Sequence, residues 1–204
     1  MCRFFGNYPQ GADGKKAPIE WLALNEMGNE LLIISRYGLD CRQYHHERVN
    51  VTWEKCNLRN WLNNDFLKTA FSKEEIERIK VSELKNDDNP KYHTSGGNST
   101  RDRIFCLSIE EAKQYFRNNE KWKCYPTDYA RKQGAWVDDC NGCCFWWLRS
   151  PGSHYCAARV GVLGAHYEYG AHDDVPDKIG VENEDGTIVN IALNAVRPAL
   201  WISK

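Results

Sequence analysis

The chain has 204 residues with 27 basic side chains against 28 acidic ones, so no net field draws it to nucleic acid or to an anionic membrane surface, and neither partner is expected. Its length suits a single core, read as one domain over residues 1–204. No apolar run approaches the roughly 20 residues of a bilayer span, and the opening MCRFFGNYPQ lacks the basic stretch and apolar core of a secretory leader; the cytoplasm is the default location, with surface or phage display the alternative.

Residues 20–24 and 30–36 read as two strands joined by a turn at 25–29, with Leu31, Leu32, Ile33 and Ile34 as a buried run. From 52 to 70, Trp53, Leu58, Trp61, Leu62, Phe66 and Leu67 recur at three- and four-residue spacing, as on one face of a helix. Ser72 with Glu75 forms a capping box that opens a second, short helix. Residues 86–101, NDDNPKYHTSGGNSTR, are polar and aperiodic and read as a long surface loop. A short strand follows at 103–107, then a capping box of Ser108 and Glu111 opens the helix IEEAKQYF, and Thr127 caps a third helix through Arg131. Thereafter the pattern turns to strands, at 144–149, 157–163, 186–191 and 195–202, separated by turn signals at Pro151-Gly152, Gly164 and 184–186. The order of hairpin, helices and antiparallel meander gives an α+β fold, with the final strand placed beside the first hairpin so that the termini come together.

The chain has nine cysteines, an odd number that leaves at least one thiol unpaired. Cys2, Cys41, Cys56, Cys106 and Cys124 read as small buried hydrophobes. Cys140, Cys143 and Cys144 include the C-x2-C spacing of a zinc site, but no second pair follows and His45-His46 lie far away in sequence. Asp138, Asp139, Asp173, Asp174 and Asp177 match no calcium-loop spacing and read as solvated carboxylates. No metal and no cofactor is therefore expected. Arg149 and Arg197 stand inside apolar blocks, where a planar guanidinium most often satisfies carbonyl groups or a carboxylate. Most of the eight tryptophans, Trp136 among them, read as core.

The blocks TWEKCNLRNWLNNDFLKTAF, IFCLSIEEAKQYF, WWLRSPG and VRPALWI resemble a bacterial and phage family of unknown function. That family is similar to the C-type-lectin-fold variable proteins of diversity-generating retroelements. The resemblance implies a C-type-lectin-like fold whose C-terminal strands and loops present a hypervariable, ligand-binding surface. In such relatives, adenine-directed mutagenesis of Asn-type codons cannot yield Lys, Glu, Gln, Met or Trp, and none of these occurs from Pro151 through Tyr167. By the same pattern Ala157, Ala158, Val160 and Gly164 correspond to framework. Ser153, His154, Tyr155, Cys156, Arg159, Gly161, Val162, His166, Tyr167 and Tyr169 correspond to the exposed, ligand-binding positions. The chain departs from the pattern between Gly170 and Gly186, which is longer than expected, and in having Asn194-Ala195 before VRPAL.

The expected function is thus non-catalytic recognition of a protein or other surface ligand, with Tyr155, His166, Tyr167 and Tyr169 as aromatic anchors and Ser153, His154 and Arg159 as polar contacts. The alternative is a cysteine-dependent enzyme on a scaffold similar to formylglycine-generating enzymes. That reading would use Cys144 and Cys156, or Cys156 with His154, two residues apart and so on one face of a strand.

Overall fold

The computed structural model describes residues 2–116, 120–161 and 183–204. It is a mixed α/β fold, mostly strands with a few short helices. A four-stranded sheet contains β1 (Cys2–Pro9), β2 (Lys16–Met27), β3 (Glu30–Ser35) and β11 (Ala199–Ser203) in that spatial order. The second sheet orders β4 (Asp40–Cys41), β10 (Ala195–Val196), β7 (Trp146–Pro151), β8 (Cys156–Val160) and β9 (Asn183–Ile188). A third ladder pairs β5 (Ser82–Leu84) with β6 (Thr100–Asp102).

The expected hairpin is present, longer than the sequence suggested: β2 runs to Met27, and Gly28 turns the chain at φ 56°, a left-handed value glycine adopts without a Cβ clash. The final strand does lie beside it, with Trp201 opposite Leu32. The chain ends are not brought together, because β1, absent from the expected elements, takes the opposite edge of the sheet. The expected strand at 195–202 is two strands in two sheets. Arg197 and Pro198 lie between β10, which pairs with β4 and β7, and β11, which pairs with β3. Residues 103–107 make only an isolated bridge, Phe105 to Ala199. The meander β7-β8-β9 is antiparallel as expected.

The stretch from 52 to 70 is helical but irregular. A 3-10 turn (Trp53–Lys55) precedes α1 (Asn57–Trp61), a π turn (Leu62–Phe66) and α2 (Leu67–Ala70). Asn63 sits in the π turn, where its Oδ1 accepts from Arg103 N and Ile104 N at 2.8 and 3.2 Å while its Nδ2 donates to Ile104 O at 2.9 Å. A side chain that serves two strangers' peptides is fixed by tertiary demand, which local periodicity does not register. The caps, in contrast, are local and present as read. Ser72 and Glu75 form a reciprocal box on α3 (Lys73–Arg78), Ser108 and Glu111 do so on α4 (Ile109–Phe116), and Thr127 Oγ1 accepts from Ala130 N at the start of α5 (Asp128–Lys132).

One apolar cluster extends from Phe5 to Ile202 and takes in Trp21, Trp53, Trp146 and Trp147. Trp136, expected in the core, is 44 % exposed and stacks on Phe145 at 4.7 Å instead. Two guanidinium groups lie inside. Arg197, fully buried, donates from Nε to Ser35 O at 3.0 Å and from Nη1 to Lys121 O at 2.9 Å. Arg149 donates to Asn86 Oδ1 at 3.3 Å, Cys106 O at 3.1 Å, Lys85 O at 3.2 Å and both carboxylate oxygens of Glu111, the second at 2.9 Å. Both arginines are therefore structural, as read from their apolar surroundings. Removing one partner of a buried ion pair strands the other, so Arg149→Ala should cost about 3–5 kcal/mol. Urea denaturation measures this, and an unchanged midpoint would show that the fork bears no weight.

Candidate functional site

The turn between β7 and β8 reverses over Gly152, Ser153, His154 and Tyr155. Gly152 N donates to Cys156 O at 2.9 Å and Cys156 N to Ser153 O at 3.0 Å. Tyr155 has φ 61°, a left-handed conformation that costs a non-glycine residue free energy and persists only where the surroundings hold it. Three segments do so. Asn50 Oδ1 accepts from Tyr155 N at 2.8 Å, Val189 N donates to Tyr155 O at 2.9 Å, and Thr94 Oγ1 donates to Gly152 O at 2.5 Å. Asn89, fully buried, donates from Nδ2 to Pro151 O at 2.8 Å. The stretch 86–101, expected to be a surface loop, is therefore partly internal. It puts Asn86 and Asn89 in the core as ties to β7 and the turn.

The braced backbone presents its side chains outward. Tyr155 is 42 % exposed with Arg48 over its ring at 5.6 Å, and His154 is exposed with Nδ1 3.4 Å from Asn50 Nδ2. Ser153 and Cys156 are half-buried. Ala157, Ala158 and Val160 are buried. Arg159 is half-buried with its guanidinium 3.7 Å over the Phe145 ring, at the other end of β8 from the turn, and Gly161 is buried. Neither joins Tyr155 in one patch. Val162, Gly164, His166, Tyr167 and Tyr169 lie outside the described residues, as do Asp173, Asp174 and Asp177.

The segment from Arg42 to Asn50 completes this surface, and sequence reasoning missed it. His45 N donates to Val189 O at 2.9 Å, and Gln43 Nε2 donates to Asn190 O at 2.5 Å, so the segment runs alongside the chain that also braces Tyr155. Behind it lies a cavity of about 260 Å³ bordered by Arg42, His46, Asn57, Leu58 and Trp61. Arg42 lies 4.2 Å over the Trp61 ring there. The signal available was the polar run HHER between a strand and a helix, a composition typical of exposed loops that carry function. Donor atoms of His45, His46 and Glu47 lie within 4.8 Å of one another. Partial burial, with the charge of His46 beside it, holds the His45 imidazole below its ordinary range.

The cysteines do not assemble as the alternative reading requires. Cys144 is buried at the end of β7 beyond Trp146, which pairs with Val160, whereas Cys156 follows the turn at the other end of the same ladder. His154 and Cys156 do not share a strand face either, because His154 lies in the turn and the left-handed Tyr155 between them breaks the alternation. Cys140 is exposed, while its neighbours Cys143 and Cys144 are buried. Asp138 Oδ1 accepts from Cys140 N and Asn141 N at 2.8 and 3.1 Å, which fixes the segment as a turn.

Burial sets the thiols' chemistry. It pushes Cys56 up to about 12, pushes Cys41 up to about 12 with help from the Asp40 charge, and raises Cys106 and Cys144 as well. Cys124 is held low, where the hydrogen bond from Cys144 and the charge of Arg197 outweigh burial. Since the reagent must also reach the thiol, iodoacetamide at neutral pH should modify the exposed Cys140 before the half-buried Cys156, and both before the buried thiols. Mass spectrometry of the quenched time course checks the order, and labelling of Cys56 or Cys106 as fast as Cys140 would contradict it.

Fold and tip together define the class: a mixed α/β domain that displays an aromatic side chain from a turn clamped through its backbone. The chain belongs to the family described as a domain of unknown function, DUF6273, whose sequence profile matches residues 28–204. No curated protein and no solved structure matches it. Among the described residues, no helix is long and apolar enough to cross a membrane.

Proposed function

We propose that this chain is a single C-type-lectin-like recognition domain that binds a protein or other surface ligand without catalysis. Tyr155 and His154 form the centre of the contact surface, with Arg48 and Asn50 beside them. The carrying observation is Tyr155 itself, a large ring exposed on a backbone that three distant segments hold in an unfavourable conformation. A fixed aromatic offers contact area at little entropic cost, which is how binding surfaces obtain their anchors. The reading draws on the resemblance of the WLRSPG and VRPALW blocks. It is also supported by a last strand that joins the first hairpin while the second sheet carries the turn.

Two experiments test it. An array of bacterial surface proteins and cell-wall glycans is probed with the wild-type chain, with Tyr155→Ala and Arg48→Ala, and with Phe4→Ala on β1 as an exposed control. Binding should fall roughly tenfold or more in the first two variants, on the order of the 1–2 kcal/mol an interface anchor carries, and stay unchanged in the third. Full retention in Tyr155→Ala would remove the tip from the site. Sequencing the flanking DNA addresses the retroelement origin. A neighbouring reverse transcriptase gene and a near-identical repeat, differing at adenines within codons 153–194, is the expected result; their absence would make the surface a fixed one.

A further inference from the structure

His46 is set up by Asn57. The Asn57 Oδ1 accepts the backbone N–H of His46 at 3.0 Å, so oxygen rather than the amide nitrogen faces the histidine. The same oxygen contacts His46 Nδ1. Because a carbonyl oxygen only accepts, Nδ1 carries the hydrogen, and in the neutral ring Nε2 holds the lone pair. Nε2 lies 3.4 Å from Glu47 Oε1. Two acceptor atoms this close can share a positive centre, either a proton on Nε2 or a metal ion.

The distance suits an ion. A charge-assisted N–H···O bond closes to about 2.7–2.9 Å. Two ligands on a tetrahedral zinc with bonds of about 2.0–2.1 Å stand about 3.4 Å apart, which is the separation found here. His45 brings a third donor within 4.8 Å of the other two. Its Nδ1 is closed off from solvent and has no hydrogen-bond partner among the described residues.

We propose that His45, His46 and Glu47 bind a divalent zinc-class ion, with Asn57 holding the His46 ring in the ligating orientation. Two imidazoles and a carboxylate with one position left over is a recurrent open zinc set, and the remaining position is available to water or to a donor from a bound molecule. The site stands on its own geometry, independent of the recognition reading.

The full chain, stripped with chelator under reducing conditions, is titrated with Co2+ as a spectroscopic substitute and the ion is then displaced with Zn2+. Visible ligand-field bands without a thiolate charge-transfer band are expected. His46→Ala and Glu47→Gln should weaken binding by at least about tenfold, and Asn57→Ala by roughly 10–100-fold, the usual cost of removing an orienting partner. His93→Ala, an exposed imidazole in another loop, should change nothing. The His46 and Glu47 side chains are 61 % and 65 % exposed, so an unchanged circular dichroism spectrum should accompany the loss. Thiolate bands, or binding that survives His46→Ala and Glu47→Gln, would move the ion to cysteine and overturn the site. No binding, with His46 titrating as an imidazolium against Glu47 by NMR, would overturn it in favour of an ion pair.

Discussion

Arg149 is the interaction on which the rest of this architecture depends. A guanidinium can be buried only where its donors are matched, and here the matches come from three separate stretches of chain: Lys85 and Asn86, Cys106, and Glu111. Glu111 is also the capping-box residue of α4, since its Oε2 accepts from Ser108 N at 2.9 Å. One carboxylate therefore starts a helix and neutralises the charge on the adjoining strand. The same strand carries Pro151, whose carbonyl Asn89 holds, and so leads directly into the turn. Loosening the fork would release the helix start, the 86–98 segment and the base of the tip together.

The two sheets are joined by a related device. Between β10 and β11 the chain passes through Arg197 and Pro198, and proline's missing N–H makes a continuous ladder impossible there. Pro198 O still accepts from Ser35 N at 2.9 Å, and Arg197 reaches back to Ser35 O at 3.0 Å, so Ser35 is satisfied on both sides of the crossing. The Arg197 guanidinium also lies 5.0 Å from the Trp146 ring, which couples the crossing to β7. The last block of the chain thus closes one sheet and supports the other.

What could be read from the sequence was what is decided within a few residues. Ser72 with Glu75, Ser108 with Glu111, and Thr127 all act through bonds to residues three positions on, so their meaning does not depend on the fold. The arginines were legible for a different reason: an apolar block leaves a guanidinium no solvent to turn to. The misses share the opposite property. The strand β1 carries a register shift between Phe4 and Asn7 and lacks regular alternation. Asn63, Asn86 and Asn89 carry no local signal, yet each reaches a distant stretch of chain: Asn63 the peptides of Arg103 and Ile104, Asn86 the Asn98 carbonyl and the Arg149 guanidinium, and Asn89 the Pro151 carbonyl. At the candidate site, Tyr155 and His154 are positions that the family resemblance implied. Arg48 and Asn50, about a hundred residues earlier, were not, because only the pairing of His45 with Val189 and of Val189 with Tyr155 brings them alongside.

The tip is clamped almost entirely through main-chain atoms: the carbonyls of Pro151, Gly152 and Tyr155, and the amide of Tyr155. A clamp that grips peptides is indifferent to what hangs from them. Positions 153 to 155 can then exchange one side chain for another while the turn keeps its shape, and residues at ease in the left-handed region, such as asparagine or glycine, would relieve strain at 155 rather than add to it. Stability and display are assigned to different atoms of the same residues, so the scaffold can hold its form while the surface it offers is rewritten.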